Sequence, residues 1–152
     1  LSEDEAGVYM TRRATDRQAA LAQRGWAELA TAFASAWPII SENGTMTAAI
    51  ERNQEMPPVV FGVKAGFADD TNADSREHLW FEIRRFNGDE AQGILINQPL
   101  NVRQLERGSQ VWIRRAQVSD WRVMTHDGCF GPNDVASMWR AIDKARERST
   151  AT

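Results

Sequence analysis

Cysteine is almost absent. Cys129 stands alone, so no disulfide can close within the chain and no Cys-rich zinc site can be built. Histidine occurs only at His78 and His126, and the pair lacks an obvious third metal ligand; no metal and no cofactor is expected. Lysine is confined to Lys64 and Lys144 among 18 basic residues. The rest are arginine, a bias that genome composition explains without invoking bidentate recognition. No apolar run approaches the ~20 residues that a membrane-spanning helix needs. Glycines at 88, 93 and 108 have neither the spacing nor the strand-to-helix setting of a phosphate loop, and no G-x-S-x-G elbow occurs. Charge of one sign is not in large excess either. The net charge is -3; residues 1–100 carry 9 basic and 15 acidic groups, and residues 101–152 carry 9 and 6. Neither half is basic enough to make nucleic acid the main partner, and RNA binding by exposed Trp80 and Trp112 is disfavoured on the same ground.

What is present describes a soluble globular chain. It has 152 residues, 42% of them hydrophobic and 26% charged, enough for one core. The expected organisation is one domain over 1–152, with a helical extension at 1–44, a β-rich core at 45–131 and a terminal helix at 132–152. Six tryptophans are many for this length; tryptophan fills cores but is also enriched at binding hot spots. The chain begins at Leu1 rather than Met, as a processed or truncated chain does. The expected compartment is the cytoplasm, or the periplasm if a signal peptide preceded Leu1.

Leu1 to Gly7 is acidic and reads as a frayed end. Thr15 to Gln18 fits a capping box, and Trp26, Leu29, Phe33 and Trp37 then recur at helical spacing. Packing on the domain's own sheet explains this stripe better than a partner-binding helix does. Gly25 weakens the helix and Pro38 is expected to stop it. Thr45–Asn53 reads as a short helix. Val59 to Phe67 alternates as a strand, and Ala68 to Ser75 reads as a polar loop whose aspartates lack EF-hand spacing.

The most informative stretch is 77–121. Asn87-Gly88 signals a two-residue hairpin turn. That turn pairs Phe81 with Ile94, Leu79 with Ile96, Trp80 with Leu95 and His78 with Asn97. Shorter strands follow at Ser109–Arg115 and Val118–Met124. Asp127-Gly128 is read as a turn, and Asn133 caps a last helix with a stripe of Val135, Met138, Trp139 and Ile142. The fold class is therefore α+β: a curled, barrel-like antiparallel sheet of about five strands, with N-terminal helices and a C-terminal helix packed on it.

His78 is the first acid/base candidate, because histidine titrates near neutrality, and Asp120 is the second. Asn97 is the neighbour expected of His78. A Cys-His-Asn set with Cys129 lacks supporting spacing, and His126 lies in a turn. Asp120, between Ser119 and Trp121, can fix a strand start or receive a ligand donor, with Arg114 and Arg115 as candidate pairing partners.

Four ordered motifs stand out: Glu77-His78-Leu79-Trp80, Gly93-Ile94-Leu95-Ile96-Asn97-Gln98-Pro99, Arg107-Gly108-Ser109-Gln110-Val111 and Ser119-Asp120-Trp121. Together they resemble the YegJ-like family of small bacterial domains of unknown function, over about residues 45–131. The resemblance implies a bacterial, β-rich domain and no assigned reaction. It puts His78, Trp80, Asn97, Pro99, Asp120 and Trp121 forward as the defining set, to which exposure expected of Trp112 adds a further binding candidate. The function expected is that of a non-enzymatic domain that binds a protein partner, in an immunity-type or adaptor role. The alternative is a small-ligand binder or hydrolase with a pocket at His78, Asn97 and Asp120.

Overall fold

Alternating apolar residues give Val59–Asp69 (β1) one face for a core, and β1 lies at the centre of an antiparallel sheet. The computed structural model describes the backbone of residues 3–151 and the side chains of residues 14–151. In chain order it has α1 (Glu3–Arg24), α2 (Trp26–Glu42), α3 (Met46–Glu51), β1, β2 (Asn72–Asn87), β3 (Glu90–Leu95), β4 (Gln110–Arg114), β5 (Val118–Thr125), β6 (Gly128–Phe130) and α4 (Val135–Ala151). The strand order is β4-β3-β2-β1-β5-β6. The α+β class holds, with six strands rather than about five. The sheet is open, ending at β4 and β6, and does not close into a barrel. The sixth strand forms because the last turn is His126-Asp127, which pairs Thr125 with Gly128.

The inner face carries Phe61, Val63 and Ala65 of β1, Leu79, Phe81 and Ile83 of β2, Leu95 of β3, and Val118, Trp121 and Val123 of β5, all buried. Ala22, Trp26, Leu29 and Phe33 from the N-terminal helices, and Met138 and Ile142 from α4, complete this core. Full burial of each large apolar side chain contributes roughly 1.5–3 kcal/mol.

Several local expectations change. Helix runs from Glu3, so the Thr15–Gln18 segment lies inside α1 rather than at its start; Leu1 and Ser2, part of the end read as frayed, lie outside the described residues. Gly25 divides the expected helix into α1 and α2 and leaves the whole stripe in α2, with the Gly25 carbonyl accepting the first α2 bond from Leu29 N–H. Pro38 does not stop α2, because Ile39 and Ile40 bury beyond it and hold the chain helical to Glu42. The polar loop after Phe67 shrinks to a tight turn at Asp70-Thr71, since β1 and β2 extend to Asp69 and Asn72.

The central hairpin is also displaced. Its loop is Gly88-Asp89, with positive φ at Gly88 alone, and Phe86 pairs with Ala91. A bulge at Arg84 then shifts the register once more, so that Phe81 faces Leu95 and Glu82 faces Ile94. The inner face of β3 is therefore Ala91, Gly93 and Leu95, not Ile94 and Ile96. Gly93 fits because a Cβ there would come within 2.7 Å of Phe81 Cβ.

Candidate functional site

Strand alternation turns Lys64 of β1, and His78, Trp80 and Glu82 of β2, to the face opposite the core. Lys64 pairs across the backbone with Trp80 on one side and Asp120 on the other, and Gly66 pairs with His78. Glycine at 66 is what lets the His78 ring lean across β1, whereas Gly62 leaves ordinary room beneath Trp80. A Cβ at Gly66 would lie 3.1 Å from His78 Cε1 and 3.3 Å from Arg76 Cδ; one at Gly62 would lie 3.6 Å from Trp80 Cε3. Arg76, His78 and Trp80 thus form a row on β2, with Lys64 beside it. Neither Lys64 nor Arg76 has a carboxylate partner among the described residues.

His78 takes Ser119, rather than Asn97 or Asp120, as its hydrogen-bond partner. A bulge in β5 puts Ser119 out of register beside Lys64 and Ala65. His78 Nδ1 lies 2.9 Å from Ser119 Oγ, and that hydroxyl donates to the Lys64 carbonyl at 3.3 Å. The hydroxyl's bond to that carbonyl fits the tautomer in which Nδ1–H donates and Nε2 carries the lone pair. This polarity does not activate the serine, which is also buried. The imidazole pKa lies below the ordinary histidine value. Partial desolvation is the main cause, and the nearby charges of Lys64 and then Arg76 add to it.

The other expected residues are held elsewhere. Asn97 Oδ1 accepts from Trp80 N–H at 2.7 Å, next to the bond from Ile96 N–H to Trp80 C=O, and so extends the β2–β3 ladder by one rung. Asp120 Oδ1 accepts from Trp121 N–H at 2.8 Å, Gln18 Nε2 at 2.9 Å and Arg122 Nη1 at 2.7 Å. It therefore pairs with Arg122; Arg115 pairs with Asp89 instead. Trp121 is fully buried, with its indole N–H donating to the Ala22 carbonyl. Pro99 is half-buried in the β3–β4 connection. Trp112, on edge strand β4, is 42% exposed. Cys129 is an exposed free thiol.

Acidic residues that the sequence left without roles prove to hold backbone. Glu82, only 2% exposed, accepts from Met46 N–H, Thr47 N–H and Thr47 Oγ1, while Thr45 Oγ1 takes Ala48 N–H. The first turn of α3 is thereby satisfied and fixed on the outer face of the sheet. Glu77 accepts from Leu100 and Asn101 N–H, and Asp70 from Arg103 N–H. Asp69 binds Thr71 and Asn101, and the Thr71 bonds above all hold its carboxyl below the usual value. These partners lie 23–36 residues away for Glu77, Asp70 and Glu82, beyond any local sequence signal.

Two crevices of about 260 and 370 Å³ share Asn43, Pro58 and His126. Another, of about 400 Å³, lies between α2 and the bulged end of β2. None of these three is lined by His78, Asn97 or Asp120. No group of three or more metal-ligating side chains occurs among the described residues, and no helix there is long and apolar enough to cross a membrane.

Residues 44–150 match the model of a protein family, DUF2314, described as an uncharacterized protein conserved in bacteria. The match runs past the four motifs, through β6 and α4. No curated protein and no solved structure matches the chain.

Proposed function

From the premise that the chain belongs to the DUF2314 family of uncharacterized proteins conserved in bacteria, we propose that it is a non-enzymatic protein-binding domain. The role is of the immunity or adaptor type, and the outer sheet face is the recognition surface. The YegJ-like resemblance is part of this reading, because its motif residues His78 and Trp80 lie on that face. The carrying observation is the row of Arg76, His78 and Trp80 with Lys64 beside it, whose lysine and arginine lack carboxylate partners among the described residues. Trp112 extends the same face to the β4 edge. Such cationic and aromatic groups suit an acidic patch on a partner protein. Asp120, Asn97 and Trp121 act as supports for this face.

The test is affinity capture by the tagged full chain from its bacterium, repeated with Lys64→Gln and Trp112→Ala. A stoichiometric protein retained by the parent chain and lost with these variants is the expected result. Capture indifferent to both substitutions sinks the outer-face assignment, and a partnerless chain sinks the binding role. The imidazole of His78 favours a second reading, a small-ligand site at His78; Asn97 and Asp120, expected to share that pocket, are held by Trp80 N–H and by Arg122 and Gln18 instead. In that case a ligand screen moves His78 resonances and protein capture fails.

A further inference from the structure

The aromatic stripe of α2 does not end in the core. Trp26, Leu29 and Phe33 are 2%, 0% and 7% exposed, but Trp37, one turn beyond Phe33, is 44% exposed. Its ring packs on Phe33 at a centroid distance of 5.7 Å, and Phe33 packs on Phe86 at 5.2 Å. Small residues Ala30 and Ala34 leave room beside these rings.

The opposite wall comes from a break in the sheet. Pairing of β1 with β2 ends at Gly62 and Glu82, although β2 continues to Asn87. Just beyond that point the bulge at Arg84 brings two consecutive arginines to the crevice. Neither the Arg84 nor the Arg85 side chain has a hydrogen-bond or ion-pair partner among the described residues. The result is a crevice of about 400 Å³ with an aromatic floor of Phe33 and Phe86, a tryptophan flank and two unpaired guanidiniums.

We propose that this crevice docks a segment of a partner protein that presents a large apolar side chain next to a carboxylate. The inference rests on the reading of the chain as a protein-binding domain, and places a second contact on the α2 side of the sheet. Charge complementarity selects the occupant. A purely apolar segment would fill the floor and leave both guanidiniums without partners, whereas an adjacent carboxylate accepts from their planar forks. Exposed tryptophan next to arginine is also the composition of an interface hot spot.

The full chain, labelled with ¹⁵N, is titrated with two synthetic hexapeptides. One has a phenylalanine flanked by aspartates; the other carries asparagines in their place. The indole resonance of Trp37 is assigned by Trp37→Phe. The aspartate peptide is expected to move that indole and the amides of Arg84, Arg85 and Phe86, and to bind about tenfold more tightly than the asparagine peptide. Replacing both arginines, Arg84→Gln with Arg85→Gln, is expected to abolish the difference between the peptides. Equal binding of the two peptides, shifts confined to other surfaces, or no shift at millimolar peptide would overturn the proposal. So would a concentration-dependent shift without peptide, which would assign the crevice to a second copy of the chain. Failure here leaves outer-face capture through Lys64 and Trp112 unaffected, so the two readings fail separately.

Discussion

A carboxylate taken out of water costs several kcal/mol unless its oxygens are fully occupied. Glu82 meets that condition with two backbone N–H groups and a hydroxyl at the start of α3. Removing it leaves the Met46 and Thr47 amides without acceptors. Glu82→Ala is expected to lower unfolding stability by about 3 kcal/mol, and Glu82→Gln, whose single amide oxygen still accepts from Thr47 while its NH2 faces the Met46 N–H, by less. Urea denaturation followed by circular dichroism measures both; equal losses would mean that the carboxylate's charge matters more than its acceptor geometry.

His78 gives a second prediction at this scale. Its folded pKa is depressed, so the unfolded chain takes the proton more readily than the folded one. Stability is fully present above the unfolded value of about 6.5 and falls as the pH drops through the lower folded value. Asp69 behaves in the same sense but in another window, losing its contribution only as the pH falls below the ordinary aspartate value of 3.8. Melting temperatures measured between pH 7.5 and 5 should therefore decline. His78→Asn should flatten that decline without affecting the acid limb below pH 4.

At the scale of elements, close strand approach makes one glycine indispensable. A Cβ at Gly93 would press on Phe81 Cβ at 2.7 Å and on Ile113 Cδ1 at 3.2 Å, whereas one at Gly44 would meet nothing within 4 Å. Gly93→Ala is expected to cost about 1–3 kcal/mol as an overpacking change, and Gly44→Ala to change stability little. The same element shows where reading from sequence stops. Alternation along Val59–Phe67 and Leu79–Ile83 was legible because one face of each strand is buried. Register was not. The Asn-Gly signal fixes a turn to within one residue, but Phe86 must meet Trp26 and Phe33 at 5.2 Å, and the bulge at Arg84 absorbs the difference. Pro38 was misread for a related reason: local propensity disfavoured the helix, while burial of Ile39 and Ile40 sustains it. The site was legible in part. His78 and Trp80 were singled out from the motif, but the Ser119 contact depends on a bulge, and the unpaired state of Lys64 and Arg76 depends on what three strands place nearby.

At the scale of the molecule, the family match and the core do not coincide. The match begins at residue 44, yet Ala22, Trp26, Leu29, Phe33, Ile39 and Ile40, all upstream, belong to the same buried cluster as Phe61, Trp121 and Met138. The contacts between the two parts are polar as well. Gln18 binds Asp120, Trp26 Nε1 donates to the Gly88 carbonyl, and Trp139 Nε1 donates to Glu28. We propose on these grounds that residues 1–152 are one cooperative domain, in which the N-terminal helices are structural rather than appended. A fragment of residues 44–152 would expose the inner face of β1 and β5, where each large side chain contributes roughly 1.5–3 kcal/mol of burial, against a total stability of only about 5–15 kcal/mol. It is expected to bind a hydrophobic dye and to lack a cooperative melt, while the whole chain melts in a single transition. Adding a synthetic peptide of residues 1–43 should restore the melt, because the missing core side chains and the Gly88 and Asp120 partners return together. A fragment that melts cooperatively without the peptide would show that the family segment folds alone and that the N-terminal helices merely cover it.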